Sequence, residues 1–257
     1  MINKKPLIFI SNDDGYQANG IRQLIEMLRP LGQILVMAPD SARSGSSMAL
    51  TSSVPVKFRK ICEEKDLVVF SCSGTPVDCT KLAFHVFFQD EKPDLVVAGI
   101  NHGDNAAVNV HYSGTMGVTI EGCLKGVPSI AFSSFNKAKD ADYSSYTSLV
   151  QKLTALVLDK GLPEGVCLNV NFPMTSAHKG VRVCRQDKGN WVQEWEKYLQ
   201  DKGSNSYLIA GNYISNEPSS SDTDRWAIEN GYVAITPTTI DMTAYNMMNV
   251  LKDWFKE

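Results

Sequence analysis

The chain has 257 residues, 43% of them hydrophobic, 21% charged and 9% aromatic, and its 25 Lys+Arg against 28 Asp+Glu give a formal net charge of −3. At ~150 residues per domain this length allows one large α/β domain or two small ones, with a sizeable core that needs no disulfide or metal staple. The near-balanced charge exerts no global pull toward nucleic acid or an anionic membrane, and the composition excludes a fibrous, disordered or membrane-spanning chain.

After Lys4-Lys5, the apolar run Leu7–Ile10 is too short for a signal-peptide core or a membrane span and reads as a buried strand. Ile21, Leu24, Ile25 and Leu28 recur at helical spacing. Ile34–Ala38 predicts a second buried strand ended by Pro39, and Leu67–Phe70 another. Thr75-Pro76-Val77-Asp78 carries a capping residue, a first-turn proline and an acid three residues after the cap, so a helix starts there and runs to Phe88. Leu95–Ile100 predicts a strand, Met116–Lys125 a helix closed by Gly126, Pro128–Phe132 a strand, Tyr146–Leu158 a helix and Cys167–Val170 a strand. Short apolar strands separated by helices imply a mostly parallel sheet covered on both faces.

Beyond Pro173 the texture changes. Trp191, Trp195, Tyr198, Tyr207 and Tyr213 stand among polar residues with no helical stripe, the pattern of an extended hairpin. Ser215–Asp224 reads as an exposed loop, Tyr232–Thr236 as a strand ended by Pro237, and Met242–Phe255 as a terminal helix. No linker sets off a second core. The expected organisation is a single domain over 1–257, with a core of about 1–173 plus 225–241, an arm of about 181–214 and a C-terminal helix of about 242–255. The six cysteines, Cys62, Cys72, Cys79, Cys123, Cys167 and Cys184, show no C-x-x-C spacing, so a reduced, soluble, cytoplasmic protein is expected.

Ligands of open α/β sheets bind at the carboxyl ends of the strands, and the residues that follow the strands are polar here. They are Asn12-Asp13-Asp14-Gly15, then Asp40 to Ser46 with Arg43 and Ser44, then Asn101-His102-Gly103-Asp104-Asn105. Two neighbouring carboxylates repel, and keeping both ionised requires a positive partner, either a metal ion or Arg43. Carboxylate, amide and hydroxyl donors suit Mg²⁺ or Mn²⁺ better than Zn²⁺ or Cu²⁺. Ser113-Gly114-Thr115 opens the Met116–Lys125 helix and offers unpaired N–H groups, hydroxyls and the positive helix end, as a phosphate cradle or as a plain N-cap. Asn105 caps this loop or meets a ligand, and His111 lies beside it. His85 sits in an apolar helix and is expected to be packed in the core. No P-loop, G-x-G-x-x-G, G-x-S-x-G or H-E-x-x-H motif is present.

The ordered set Ser11-Asn12-Asp13-Asp14-Gly15, Ala38-Pro39-Asp40 with Arg43-Ser44-Gly45, Ser73–Cys79, Gly99–Asn105, Tyr112–Thr115 and Gly231–Pro237 resembles SurE, the stationary-phase survival protein family of metal-dependent 5′-nucleotidases. The resemblance implies a Rossmann-like three-layer α/β/α sandwich with a protruding β-hairpin arm and a C-terminal helix. It implies hydrolysis of nucleoside 5′-monophosphates, with 3′-monophosphates or short polyphosphate as further substrates, and one divalent cation per subunit, Mg²⁺ or Mn²⁺. Metal ligands would be Asp13, Asp14, Ser44 and Asn101. Asn105 and Ser113 would contact phosphate, with Gly114 and Thr115 completing the turn, and Asp13 and Asp14 would be catalytic, one of them as base or nucleophile. The hairpin and an exchanged C-terminal helix would build a homodimer or homotetramer, with no nucleic-acid polymer or membrane as partner.

Three other readings compete. A receiver-like Mg²⁺-binding regulatory module needs an Asp after a middle strand, where Leu67–Phe70 instead runs into Ser71-Cys72-Ser73-Gly74, and it needs about half this length. A haloacid-dehalogenase-type phosphatase for another phosphoester wants two acids one residue apart, whereas Asp13 and Asp14 are adjacent. An interaction scaffold would use the aromatic arm to bind a partner.

Overall fold

The computed structural model describes residues 5–198 and 205–256; residues 199–204, at the tip of the expected arm, and residues 1–4, which include Lys4, lie outside them. The strands are β1 Leu7–Ser11, β2 Gln33–Pro39, β3 Phe58–Glu64, β4 Leu67–Cys72, β5 Leu95–His102, β6 Ser129–Ser134 and β7 Val166–Phe172, then β8 Val181–Val183, β9 Gly189–Val192, β10 Trp195–Lys197, β11 Tyr207–Ile209, β12 Asn212–Ser215 and β13 Val233–Thr239. The α-helices are α1 Asn19–Leu28, α2 Pro76–Phe87, α3 Gly114–Leu124, α4 Thr147–Lys160, α5 Asp224–Glu229 and α6 Tyr245–Phe255, and a 3₁₀ turn spans Ala107–His111.

One nine-stranded sheet runs in the order β3-β4-β2-β1-β5-β6-β7-β13-β8. Its six central strands are parallel. With β3 set aside, their order is third-second-first-fourth-fifth-sixth, the doubly wound arrangement whose direction reverses between β1 and β5. Alternation along β1 builds the two outer layers. Ile8 and Ile10 pack with α1 and α4, while Phe9 packs with α2 and α3. All three side chains are fully buried, each contributing about 1.5–3 kcal/mol of hydrophobic stabilisation. At the start of α2, Thr75 Oγ1 accepts the Asp78 N–H and the Asp78 carboxylate accepts the Thr75 N–H, a reciprocal capping box.

Several elements differ from expectation. Antiparallel β3 is almost wholly exposed and lacks the apolar run that marks a buried strand. Val181–Val183, expected in the arm, is β8 of the main sheet. The arm itself is two short antiparallel ladders, β9–β12 and β10–β11. Pro237 does not end its strand. β13 pairs antiparallel with β7 through Thr239, and β8 flanks it only from Val233 to Ile235, so the missing N–H of Pro237 falls where no second ladder exists. Within the expected 215–224 loop, Thr223 caps α5. His85 is exposed rather than packed. All six cysteines are free, five buried and Cys62 half-buried.

Candidate active site

The turn after β1 is set by its own side chains. Asn12 Nδ2 donates to the Gly15 carbonyl (3.0 Å) and the Gly15 N–H donates to Asn12 Oδ1 (3.2 Å), while Gly15 takes a φ of +99° that an L side chain rarely adopts. Between them Asp13 and Asp14 are held at the switch between β1 and β5. Asp13 is only 4% exposed. Thr115 Oγ1 donates to its Oδ1 at 2.6 Å, and the Arg43 N–H donates to its backbone carbonyl at 2.7 Å. Asp14 is half-buried; the His102 N–H donates to its Oδ2 (3.1 Å), and His102 Nδ1 lies 3.6 Å from the same oxygen.

Burial disfavours the charged form of both acids. It pushes Asp13 up from 3.8 to about 6, against the lowering pull of the Thr115 hydrogen bond and with a further push from the Asp14 charge. Asp14 is also raised by burial, opposed by His102. Arg43 does not compensate them: its guanidinium goes to the Ser73 carbonyl (3.1 Å) and to Asp40 (3.7 Å). Besides His102, whose Nδ1 lies 3.6 Å from Asp14 Oδ2, the groups to weigh as ligands are the oxygens of Asn101 and Ser44. Asn101 commits its amide nitrogen to the Gly103 carbonyl (2.7 Å), which leaves Oδ1 as the atom it could offer a cation. Ser44 is exposed and follows the residue whose N–H holds Asp13. No group of three or more His, Cys, Asp or Glu side chains able to hold a metal occurs among the described residues. Two carboxylates in need of a counter-charge, an amide oxygen and a hydroxyl fit a hard divalent cation.

The residues of the expected phosphate turn stand against the same carboxylate. Ser113, buried, caps α3 by accepting the Met116 N–H at 3.0 Å, leaving the N–H groups of Gly114 and Thr115 at the helix start without intrahelical partners. The Thr115 hydroxyl serves Asp13 and its backbone N–H supports the same carboxylate, so the N–H left open at the helix start is that of Gly114. A Cβ on Gly114 would stand 2.6 Å from Ser46 Oγ and 2.8 Å from Asp13 Cβ, so only glycine permits this approach. Ser46 Oγ, Arg43 Nε and His102 Nε2 are buried without a hydrogen-bond partner among the described residues, and all three flank the carboxylate pair or the loop covering it. Asn105 is buried and donates to Ser133 Oγ at 2.7 Å. Asp13, Gly114 and Thr115 are thus in direct contact, Asp14 meets the Asn101–His102 strand end, and Ser44 is tied to them through Arg43. On the far side of Ser113 opens a cavity of about 580 Å³, lined by Met48, His111, Pro237 and Met242 among others.

Asn109, Asn169 and Asn171 escaped the sequence reading as site residues, and Ser46 stood in its polar loop without a role. Asn169 and Asn171 carried one available signal, two amides alternating along an otherwise apolar strand.

Residues 8–193 match the family described as Survival protein SurE. The chain is 55% identical over 254 residues to the 5′-nucleotidase SurE of Phocaeicola vulgatus, covering 99% of this chain and 98% of that protein. It is likewise 55% identical to the 5′-nucleotidase SurE of Bacteroides fragilis, covering 99% of each. The crystal structure of the SurE protein from Aquifex aeolicus superposes with a TM-score of 0.83 at 37% identity, over 98% of this chain and 100% of that one.

Proposed function

The chain belongs to the SurE family, and from that premise we propose that it is a metal-dependent phosphomonoesterase hydrolysing nucleoside 5′-monophosphates to nucleoside and inorganic phosphate. The observation that carries this reading is the Thr115–Asp13 hydrogen bond, because it joins the carboxylate pair to the start of α3. Asp13, Asp14, Ser44 and Asn101 would hold one Mg²⁺ or Mn²⁺. That cation supplies charge neutralisation and Lewis acidity toward the phosphate.

The chain's own groups do the rest. The Gly114 N–H, with the positive end of α3, binds the phosphate oxygens, and Ser113, Thr115 and Asn105 complete the set. Phosphoryl transfer passes through a loose, charge-rich transition state, so such positioning dominates catalysis. Thr115 fixes the Asp13 carboxylate, which accepts the proton of the attacking water. A carboxylate raised by burial is the better base. The cavity beyond Ser113 gives a nucleoside room next to its phosphate.

We also propose that the chain works in the cytoplasm as a homodimer or homotetramer. Supporting assembly, α6 buries none of its residues, and Tyr245, Trp254 and Phe255 are 66%, 68% and 77% exposed. Trp195 and Ile209 of the arm are similarly bare. Among the described residues no helix is long and apolar enough to cross a membrane.

The test is a phosphate-release screen over nucleoside 5′- and 3′-monophosphates with Mg²⁺, Mn²⁺ or EDTA, using wild type and Asp13→Asn. Metal-dependent release that D13N loses supports the reading; release that persists in EDTA or in D13N rejects it.

A further inference from the structure

The segment from Asn101 to Ser113 joins the proposed metal amide to the proposed phosphate turn, and two hydrogen-bond sets hold it. From beneath, strand β7 supplies a closed amide network. Asn171 Oδ1 accepts the Asn105 N–H (2.8 Å), Asn169 Nδ2 donates to the Asn105 carbonyl (2.8 Å), and Asn171 Nδ2 donates to Asn169 Oδ1 (2.9 Å). Buried amides satisfied in this way lock a backbone in place.

The second set comes from the arm. Trp191 of β9 sends its indole N–H to Asn109 Oδ1 at 2.8 Å. Asn109 in turn donates from Nδ2 to Asp104 Oδ1 (3.1 Å) and to the Asp104 carbonyl (3.3 Å). An indole N–H only donates, so it selects the oxygen of the Asn109 amide and directs the nitrogen to Asp104. The Asn109 backbone carbonyl accepts the N–H of Tyr112 (3.0 Å), the residue immediately before the Ser113 cap. Arg225 braces the same corner, 3.5 Å from Asp104 Oδ1 and stacked over Tyr213, which pairs with Trp191 across the β9–β12 ladder.

We infer that Trp191 and Asn109 are positioning residues for the phosphate turn. The arm's indole holds Asn109, and Asn109 sets where Ser113 begins α3. The inference rests on the reading of Ser113–Thr115 as the phosphate-binding turn.

Trp191→Phe keeps an aromatic ring against Tyr213 and removes only the N–H; Asn109→Ala removes the other partner. Full-length wild type, both single variants and the double variant are compared by steady-state phosphate release, calorimetric binding of inorganic phosphate in saturating Mn²⁺, the Mn²⁺-induced shift in Tm, and light scattering. The loss of one neutral hydrogen bond, about 0.5–1.5 kcal/mol, corresponds to a 2–12-fold effect. Trp191→Phe is expected to raise KM and weaken phosphate binding by a factor in that range, and Asn109→Ala, which also gives up both bonds to Asp104, by at least as much, with kcat, the Mn²⁺ shift and the mass unchanged. The double variant should be no worse than Asn109→Ala alone. Wild-type KM and phosphate binding in W191F overturn the inference, as do multiplying losses in the double variant or losses accompanied by a changed mass or Mn²⁺ shift. Phosphate binding is read without turnover, so a wild type that binds phosphate but hydrolyses nothing defeats the functional reading alone. A wild type that binds no phosphate removes the premise itself.

Discussion

Thr115 and Asp13 stand 102 residues apart in the chain and share a 2.6 Å hydrogen bond from hydroxyl to carboxylate at a buried strand end. Because the bond lowers the Asp13 pKa against the effect of burial, Thr115 keeps this carboxylate ionised as well as aimed. Thr115→Val should therefore lower kcat about 10-fold or more and, in EDTA, raise the pH at which Asp13 titrates, while Thr115→Ser restores both. A wild-type Asp13 titration by NMR in metal-free T115V would show that the hydroxyl does not tune Asp13.

Asp13 also couples site to stability. Its pKa is raised from 3.8 to about 6 in the fold, so the folded state binds this proton more tightly than the unfolded chain does. The associated stability is fully present below pH 3.8 and is lost as pH rises through about 6. The difference corresponds to about 3 kcal/mol at 1.36 kcal/mol per pH unit. In EDTA, Asp13→Asn should melt above wild type at pH 7.5, with the gap narrowing to about a third by pH 4.5. Paired thermal melts across that range check it; a gap independent of pH rejects the assignment.

Mn²⁺ should raise the Tm of wild type, since a ligand at 100-fold over its Kd adds about 2.7 kcal/mol. Asn101→Ala, which gives up only the bond to the Gly103 carbonyl, should fold normally but lose most of that shift. An undiminished shift would place the cation elsewhere.

Gly114→Ala tests the close approach of α3. Alanine is the better helix former by ~1 kcal/mol, so stability should change little, but its Cβ would press on Ser46 Oγ and Asp13 Cβ. Turnover should drop at least 10-fold while the circular dichroism spectrum is retained; wild-type turnover would mean that the site tolerates the displacement.

Removing residues 242–257 deletes α6, which has no buried residue to lose. The truncated chain should keep its far-ultraviolet spectrum, less one helix, and show a lower mass by light scattering. An unchanged mass would assign assembly to other surfaces.

Local signals carried the elements of the core and the separate pieces of the site. Apolar runs marked β1, β2, β4, β5, β6 and β7, the Thr75-Pro76-Val77-Asp78 cap marked α2, and the tetrad Asn12-Asp13-Asp14-Gly15 marked the turn where the acids sit. β3 escaped because an exposed edge strand needs no apolar run. Pro237 misled because its penalty depends on whether a second strand lies beside it, and β8 stops at Val183.

The kinds of chemistry available, two carboxylates with oxygen donors and a Ser-Gly-Thr helix start, are properties of residue type and neighbouring residues and are legible along the chain. Which of these groups touch is a property of the sheet order, because bringing β5 beside β1 sets α3 over Asp13 and turns the Thr115 hydroxyl away from solvent toward a carboxylate. The partner of Arg43, the arm's hold on Asn109 and the amide network under Asn105 were likewise decided by tertiary packing. A hydrogen bond between residues 64, 82 or 102 positions apart leaves no periodic trace in the sequence that makes it.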